Sequence, residues 1–134
     1  MAIDPGLKVM TLPPEWHALC NSADLTDGGQ AVLFDVRFGG QTCLGFAIRY
    51  RGQVAAYVNR CAHVAMEMDW RPGHFFDETG DWLMCATHGA MYQPLSGECV
   101  AGPCTGKRLI AIQTQELQSV VYWQSDFNLQ PVEF

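Results

Sequence analysis

From Gln30 onward, apolar and polar residues alternate along the chain. In "AVLFDVRF" the apolar side chains Val32, Phe34, Val36 and Phe38 fall on every second position, and Asp35 and Arg37 take the opposite face. That period of two is the mark of a half-buried strand. Gly39-Gly40 supplies a turn, "TCLGFAIRY" repeats the pattern with Leu44, Phe46, Ile48 and Tyr50, Arg51-Gly52 turns the chain again, and "QVAAYVN" makes a third strand. The pattern predicts a meander of three antiparallel strands.

The flanks read differently. Residues 1–29 are mixed and punctuated by proline; "LPPEW" and "NSADLTDGGQ" leave room for no more than a turn or two of helix. Segment 61–106 carries Gly, Pro, Cys and His at loop-like spacing, with short strand candidates only at "DWLMCA" and around "AMYQ". Beyond it "RLIAIQTQ" and "LQSVVYWQ" predict two more strands, and the closing "SDFNLQPVEF" carries no signal. Regular strands on both sides of a loop-rich insert predict an all-β fold, a small antiparallel barrel or sandwich with an excursion that carries the site.

Composition narrows the function classes. A chain of 134 residues is one domain and can bury a core without a structural metal. A metal would therefore be present for chemistry. With 8 basic and 14 acidic residues the net charge is −6, which argues against nucleic acid or an anionic membrane as partner. No stretch approaches the roughly 18 consecutive apolar residues of a membrane span, and "MAIDPGLKVM" lacks the layout of a secretory signal. The expected location is the cytoplasm. There, six cysteines (20, 43, 61, 85, 99 and 104) read as thiols and metal thiolates rather than a disulfide framework.

Four residues combine into a pattern: Cys61-x-His63, then 21 residues, then Cys85-x-x-His88. Each half follows a strand candidate and offers one thiolate and one imidazole, a set suited to a borderline-soft metal. Residues two apart at the mouth of a strand point to the same side, so Cys61 and His63 can converge. Two chemistries use such a set. A tetrahedral Cys2His2 zinc would hold two loops together. A Rieske-type [2Fe-2S] cluster would place both thiolates on one iron and both imidazoles on the other, raising the reduction potential above that of all-cysteine clusters because neutral ligands make the added electron less unfavourable.

From about Gln53 to Leu109 the sequence resembles the Rieske family, through "VNRCAH", "CATHGAMY", "SGECVAGPC" and "GKRL". The resemblance implies that Cys61 and Cys85 hold a buried iron, that His63 and His88 hold an outer one, and that Gly102 and Pro103 form a loop covering a [2Fe-2S] cluster. It implies a Rieske-like fold: one domain over residues 1–134, with a base barrel of about 1–58 plus 107–134 and a small cluster-binding insert at about 59–106. Two departures mark a subtype. The serine found in high-potential respiratory members is replaced by Ala90, and neither "CAHVAM" nor "CATHG" holds the spare cysteine of their disulfide. The family's tyrosine is retained as Tyr92. One hydroxyl fewer near the cluster sulfurs predicts a potential below the respiratory type.

The function implied is that of an electron carrier, a ferredoxin moving one electron from a reductase to a terminal oxygenase or similar acceptor, and not an enzyme in itself. With only His17 and His74 remaining, the chain lacks the ligands of an oxygenase's mononuclear iron. The alternatives are a small electron-transfer subunit of a larger reductase, of the nitrite-reductase type, and a zinc-stabilised interaction module. The edges of His63 and His88 are the expected electron exit, with proton uptake coupled to reduction.

Other residues carry weaker expectations. Cys99 and Cys104 flank the covering loop as thiols, and Cys20 and Cys43 are small buried hydrophobes. Val64, Met66 and Met91 adjoin the ligands, sealing the centre or forming a contact. "RPGHFFDETGDW" is a hairpin that shields the centre or shapes its docking face. Six carboxylates (Glu67, Asp69, Asp77, Glu78, Asp81 and Glu98) against Arg71 alone between Cys61 and Cys104 are either a solvated loop or an acidic docking face for a basic partner.

Overall fold

A computed structural model describes residues 13–62, 66–87 and 89–132. Among these the regular structure is β1 (Trp16–Asn21), a 3-10 turn (Ser22–Asp24), β2 (Val32–Phe38), β3 (Gln41–Tyr50), β4 (Gln53–Val58), β5 (Leu83–Met84), β6 (Met91–Tyr92), β7 (Cys99–Ala101), β8 (Ala111–Ile112), β9 (Thr114–Leu117), β10 (Val120–Gln124) and β11 (Leu129–Pro131). The all-β expectation holds. A five-stranded sheet runs β11-β2-β3-β4-β8, a three-stranded sheet runs β1-β10-β9, and a small third sheet, β5-β6-β7, lies within the loop-rich segment. Paired strands in all three are antiparallel.

The predicted meander is β2-β3-β4, in register from Phe38↔Gln41 and from Tyr50↔Gln53. Val32, Phe34, Val36 and Phe38 all pack into one core, as their alternation predicts. β3 departs from the half-buried pattern because it is central and covered on both sides. Phe46, Ile48 and Tyr50 enter one core, while Cys43 and Ala47 enter the other. β4 divides likewise, with Ala55 and Tyr57 on one side and Val54, Ala56 and Val58 on the other. Since successive residues point to opposite faces, the large sheet separates two cores. One is the barrel interior, closed by Val121 and Trp123 of β10; the other packs the outer face of β3 and β4 against Met68, Phe75, Leu83, Cys85 and Tyr92.

Gly45 shows how closely the meander packs: a Cβ there would lie 2.8 Å from Phe34 Cζ. At the barrel's closure Arg49 donates to the Leu25 and Ser22 carbonyls and makes two bonds to Glu116, at 3.0 and 2.7 Å. It thereby ties the 3-10 turn and β9 to β3.

Several strands differ from the sequence pattern, among them β7, in a segment where no strand is predicted. β1 falls in the segment read as irregular; its pairing with β10 shifts register between Ala18 and Cys20, and that bulge breaks the period of two. β11 is three residues ending in Pro131, on the sheet edge where proline is tolerated. "RLIAIQTQ" is not one strand but two, β8 pairing with β4 and β9 with β10, with the corner at Gln113, whose carbonyl accepts from Gln124 N at 2.9 Å. "LQSVVYWQ" contains a hairpin turn at Gln118 and Ser119, both at positive φ (51° and 66°), without the Asn-Gly signal such turns usually carry.

Candidate metal centre

The first predicted ligand loop leaves the large sheet at Val58. Asn59 N donates to Leu44 O at 2.8 Å, and the Asn59 side chain, 2% exposed, is fully paired. Its Oδ1 accepts from Met68 N at 2.9 Å, its Nδ2 donates to Asp69 Oδ1 at 2.9 Å, and Asp69 Oδ2 accepts from Gly73 N at 3.0 Å. A buried amide demands such partners; here they clamp the two ends of the loop together. Within the clamp Cys61 N donates to Met66 O at 2.9 Å.

The second loop follows β5. Cys85 N donates to Ala90 O and Gly89 N to Cys85 O, at 2.9 and 2.8 Å, with Gly89 in the left-handed region at φ +71°. Ala86 N donates to Met68 O at 2.9 Å and ties the two loops to each other. Cys61 and Cys85, 4% and 0% exposed, lie in the same apolar core. Of the four predicted ligands these two are thus brought to adjoining loops. His63 and His88 lie outside the described residues, as does Val64.

Tyr92, on β6, reaches the first loop from below. Its hydroxyl accepts from Ala62 N at 2.9 Å and lies 3.4 Å from Cys61 Sγ and 3.2 Å from Cys104 Sγ. Burial, then its contacts with the two thiols, push its pKa above the ordinary tyrosine range, so it stays a neutral hydroxyl. The predicted covering loop starts at Gly102, φ +93°, where a Cβ would lie 2.9 Å from Ala90 Cα. That segment rests directly on the second ligand loop. Thr105 Oγ1 donates back to Gly102 O at 2.9 Å, and Pro103 is exposed at the turn. Cys99 and Cys104 are buried thiols, as expected, and Cys99 Sγ donates to Ala101 O at 3.2 Å.

The "RPGHFFDETGDW" hairpin serves the outer core. Phe75 stacks on Phe46 with ring centroids 3.7 Å apart, and Phe76 stacks on Tyr50. Among the six carboxylates Asp69 belongs to the clamp, Asp77 accepts from Thr79 Oγ1 and Trp82 N, Asp81 accepts from Tyr50 OH, and Glu98 pairs with Arg108. Glu67 and Glu78 are exposed. Met66 is 43% exposed beside the first loop, and Met91 is half-buried. His17 bonds Ser125 and His74 packs on Trp70, and neither belongs to a group of three or more His, Cys, Asp or Glu side chains that could hold a metal among the described residues. Cys20 and Cys43 border the barrel core, and burial followed by Asp24 pushes the Cys20 thiol up to about 11.

Sequence reasoning missed Asn59 as the clamp and Cys104 as a partner of Tyr92. A signal for Asn59 existed: an amide at the end of an apolar strand, two residues before a candidate ligand.

The Rieske [2Fe-2S] domain family matches residues 15–125. No curated protein matches the chain by sequence. Among solved structures, a chain in a complex of reduced oxygenase and oxidized ferredoxin of carbazole 1,9a-dioxygenase is 21% identical with a TM-score of 0.65, covering 90% of this chain and 100% of that one. The ferredoxin of carbazole 1,9a-dioxygenase from Nocardioides aromaticivorans IC177 is 19% identical at a TM-score of 0.65, covering 83% and 98%. The terminal oxygenase from the same organism is 21% identical at 0.65, and there the match covers 92% of this chain but 33% of the oxygenase. At these identities the likeness establishes the fold.

The residues present suit the cluster that the family name specifies. Two buried thiols in one apolar core would be costly as lone thiolates and would be stabilised as metal ligands. A hydroxyl stands within reach of one sulfur, and a glycine without room for a Cβ lets the covering segment rest on the second loop.

Proposed function

This chain belongs to the Rieske [2Fe-2S] domain family, and we propose that it is a cytoplasmic one-electron carrier, receiving from a reductase and delivering to a terminal oxygenase or similar acceptor. The cluster, when bound, takes up and releases the electron. In this reading Cys61 and Cys85 hold the inner iron and His63 and His88 the outer one. Tyr92 donates to Cys61 Sγ, and Gly102 and Pro103 cover the site.

The observation that carries the reading is the pair of tied loops, each opening with a buried cysteine and each closed by a backbone bond, from Cys61 N to Met66 O and from Cys85 N to Ala90 O. Among the described residues no three His, Cys, Asp or Glu side chains form a metal group. The ligand-type residues inside the two loops that could complete the set are His63 and His88. The carrier role is favoured by the ferredoxin-sized matches, which this chain spans almost whole.

An anaerobic visible and EPR spectrum of the purified protein tests this directly. Red-brown protein with a rhombic signal on reduction is expected, and rapid oxidation by a Rieske oxygenase would establish the direction of flow. A colourless protein holding one zinc would overturn it.

A further inference from the structure

The Tyr92 hydroxyl has one proton and two lone pairs, and it has three neighbours. Ala62 N–H, at 2.9 Å, can only donate, and so takes one lone pair. Cys61 Sγ lies at 3.4 Å and Cys104 Sγ at 3.2 Å. As a metal thiolate Cys61 has no proton to give and accepts the tyrosine's. The remaining lone pair then faces Cys104, whose S–H is the donor that fits it. Cys99, the other thiol hydrogen-bonded to Cys104, spends its own proton on the Ala101 carbonyl at 3.2 Å, and its sulfur, the rival acceptor for the Cys104 proton, is a weaker acceptor than the tyrosine oxygen.

We propose that Cys104 is a positioning residue for electron transfer: its thiol donates to the Tyr92 oxygen, and this contact orients and strengthens the hydrogen bond from Tyr92 to Cys61 Sγ. The inference rests on the cluster reading above. Hydrogen bonds in series polarise one another, so a donor into the tyrosine oxygen makes its O–H a better donor onward. The reduced centre carries more negative charge on its thiolate sulfurs than the oxidised one, and a donor to sulfur therefore favours the reduced form. Cys104, one residue beyond the Gly102-Pro103 turn, thus couples the covering loop to the electronic state of the centre. The coupling has a mechanical basis. Lys107 N donates to Cys104 O at 2.8 Å and Cys99 N to Lys107 O at 2.8 Å, so β7 and the loop fix the thiol where it stands.

The experiment is a set of reduction potentials on loaded protein: native, Cys104→Ala, Cys104→Ser, Tyr92→Phe and the Tyr92→Phe/Cys104→Ala double variant. The visible and EPR spectra of each sample serve as the loading check. At a fixed solution potential, Tyr92→Phe shifts the oxidised-to-reduced ratio roughly tenfold toward oxidised. Cys104→Ala shifts it about two- to threefold in the same direction. Cys104→Ser keeps a donor and restores the native ratio or moves past it. In the Tyr92→Phe background Cys104→Ala has no further effect. Equal shifts from Cys104→Ala in both backgrounds, or no shift in either, would overturn the role, since a packing residue does not act through the hydroxyl. If native protein showed no Rieske spectrum at all, the cluster reading would fail with it, and that outcome is distinct from a spectrum that is present while the potentials do not move.

Discussion

The two cores on either side of β3 and β4 are built by different means. The barrel core is filled almost wholly from strands: Val36 from β2, Ala47 from β3, Ala56 and Val58 from β4, Ile112 from β8, Val121 and Trp123 from β10, Leu129 from β11, with Leu25 alone coming from beyond the 3-10 turn. The outer core takes Phe46, Ile48, Tyr50 and Tyr57 from the same sheet but meets them with residues of loops and of strands two or three residues long. There the backbone is held by individual polar side chains. Asn59 clamps one loop, Tyr57 OH donates to Pro94 O at 2.7 Å, and Gln93 Oε1 accepts from Leu95 N and Ser96 N. The barrel is a scaffold in which many side chains share the load. The site side depends on single residues, and local loss there is expected while the barrel stays folded.

The largest effects fall where the two regions share a strand. Phe46 is fully buried, stacked on Phe75 and in contact with Tyr57. Phe46→Ala is expected to cost about 3–5 kcal/mol and to release the cluster. Trp123→Ala, in the barrel core, is expected to cost a similar amount with slower cluster loss at temperatures where the chain remains folded. Denaturation midpoints with parallel decay of the visible absorption measure both. Asn59→Ala breaks the comparison the other way. It leaves Met68 N and Asp69 without their buried partner, about 1–3 kcal/mol for an unsatisfied group, and is expected to drain cluster content while the far-ultraviolet β signal persists. Loss of both signals together at the same midpoint would mean that the two cores form one cooperative unit.

Gly102→Ala comes next. The new Cβ would meet Ala90 Cα at 2.9 Å on a backbone at φ +93°, so the covering segment must lift, at about 1–3 kcal/mol confined to that segment. Faster cluster loss to a chelator with an unchanged barrel midpoint is the expected signature. Arg49→Met probes the barrel instead. Its side-chain bonds lower the Glu116 pKa, so the pair's contribution is fully present above the ordinary carboxylate value of about 4.5 and is lost as pH falls through the depressed folded value. The gap between native and variant midpoints is therefore expected to be widest near neutrality and to narrow under acid. Glu116 is about a third exposed, which limits the pH-dependent part to about 1 kcal/mol or less. A residual gap at low pH is the share of the bonds to Leu25 O and Ser22 O, which do not titrate.

What could be read from the sequence follows the same division. Alternation placed β2, β3 and β4 and the core face of β2, because a strand with one covered face prints its period on the chain. It could not place both faces of β3, nor the bulge that hides β1, nor the corner at Gln113, since each depends on a partner strand distant in sequence. Cys61 and Cys85 stood out through their spacing with His63 and His88. Tyr92 and Gly102 came only from family resemblance. The Asn59 clamp and the Cys104–Tyr92–Cys61 contacts join residues up to 31 positions apart across three loops, and no local pattern encodes them.

The smallest expected effect concerns charge. The segment between the ligand loops is strongly acidic in sequence, yet Asp69, Asp77, Asp81 and Glu98 each have a structural partner, and the hairpin tip beside Glu78 packs near Gly28, with Gly80 O 3.8 Å from a Cβ placed there. Glu67 is exposed next to Met66 at the first loop. A single exposed charge acts over a Debye length of about 8 Å at physiological salt. Glu67→Gln is therefore expected to slow electron transfer to a basic partner by less than about twofold there, and by more at low ionic strength. Stopped-flow rates across a salt series separate this from the apolar contribution. Met66→Ala should lower the rate equally at all salt concentrations, whereas Glu67→Gln should flatten the salt dependence without changing its high-salt limit. If both variants changed the high-salt limit alone, the acidic segment would be a solvated loop and docking would rest on the apolar rim of the site.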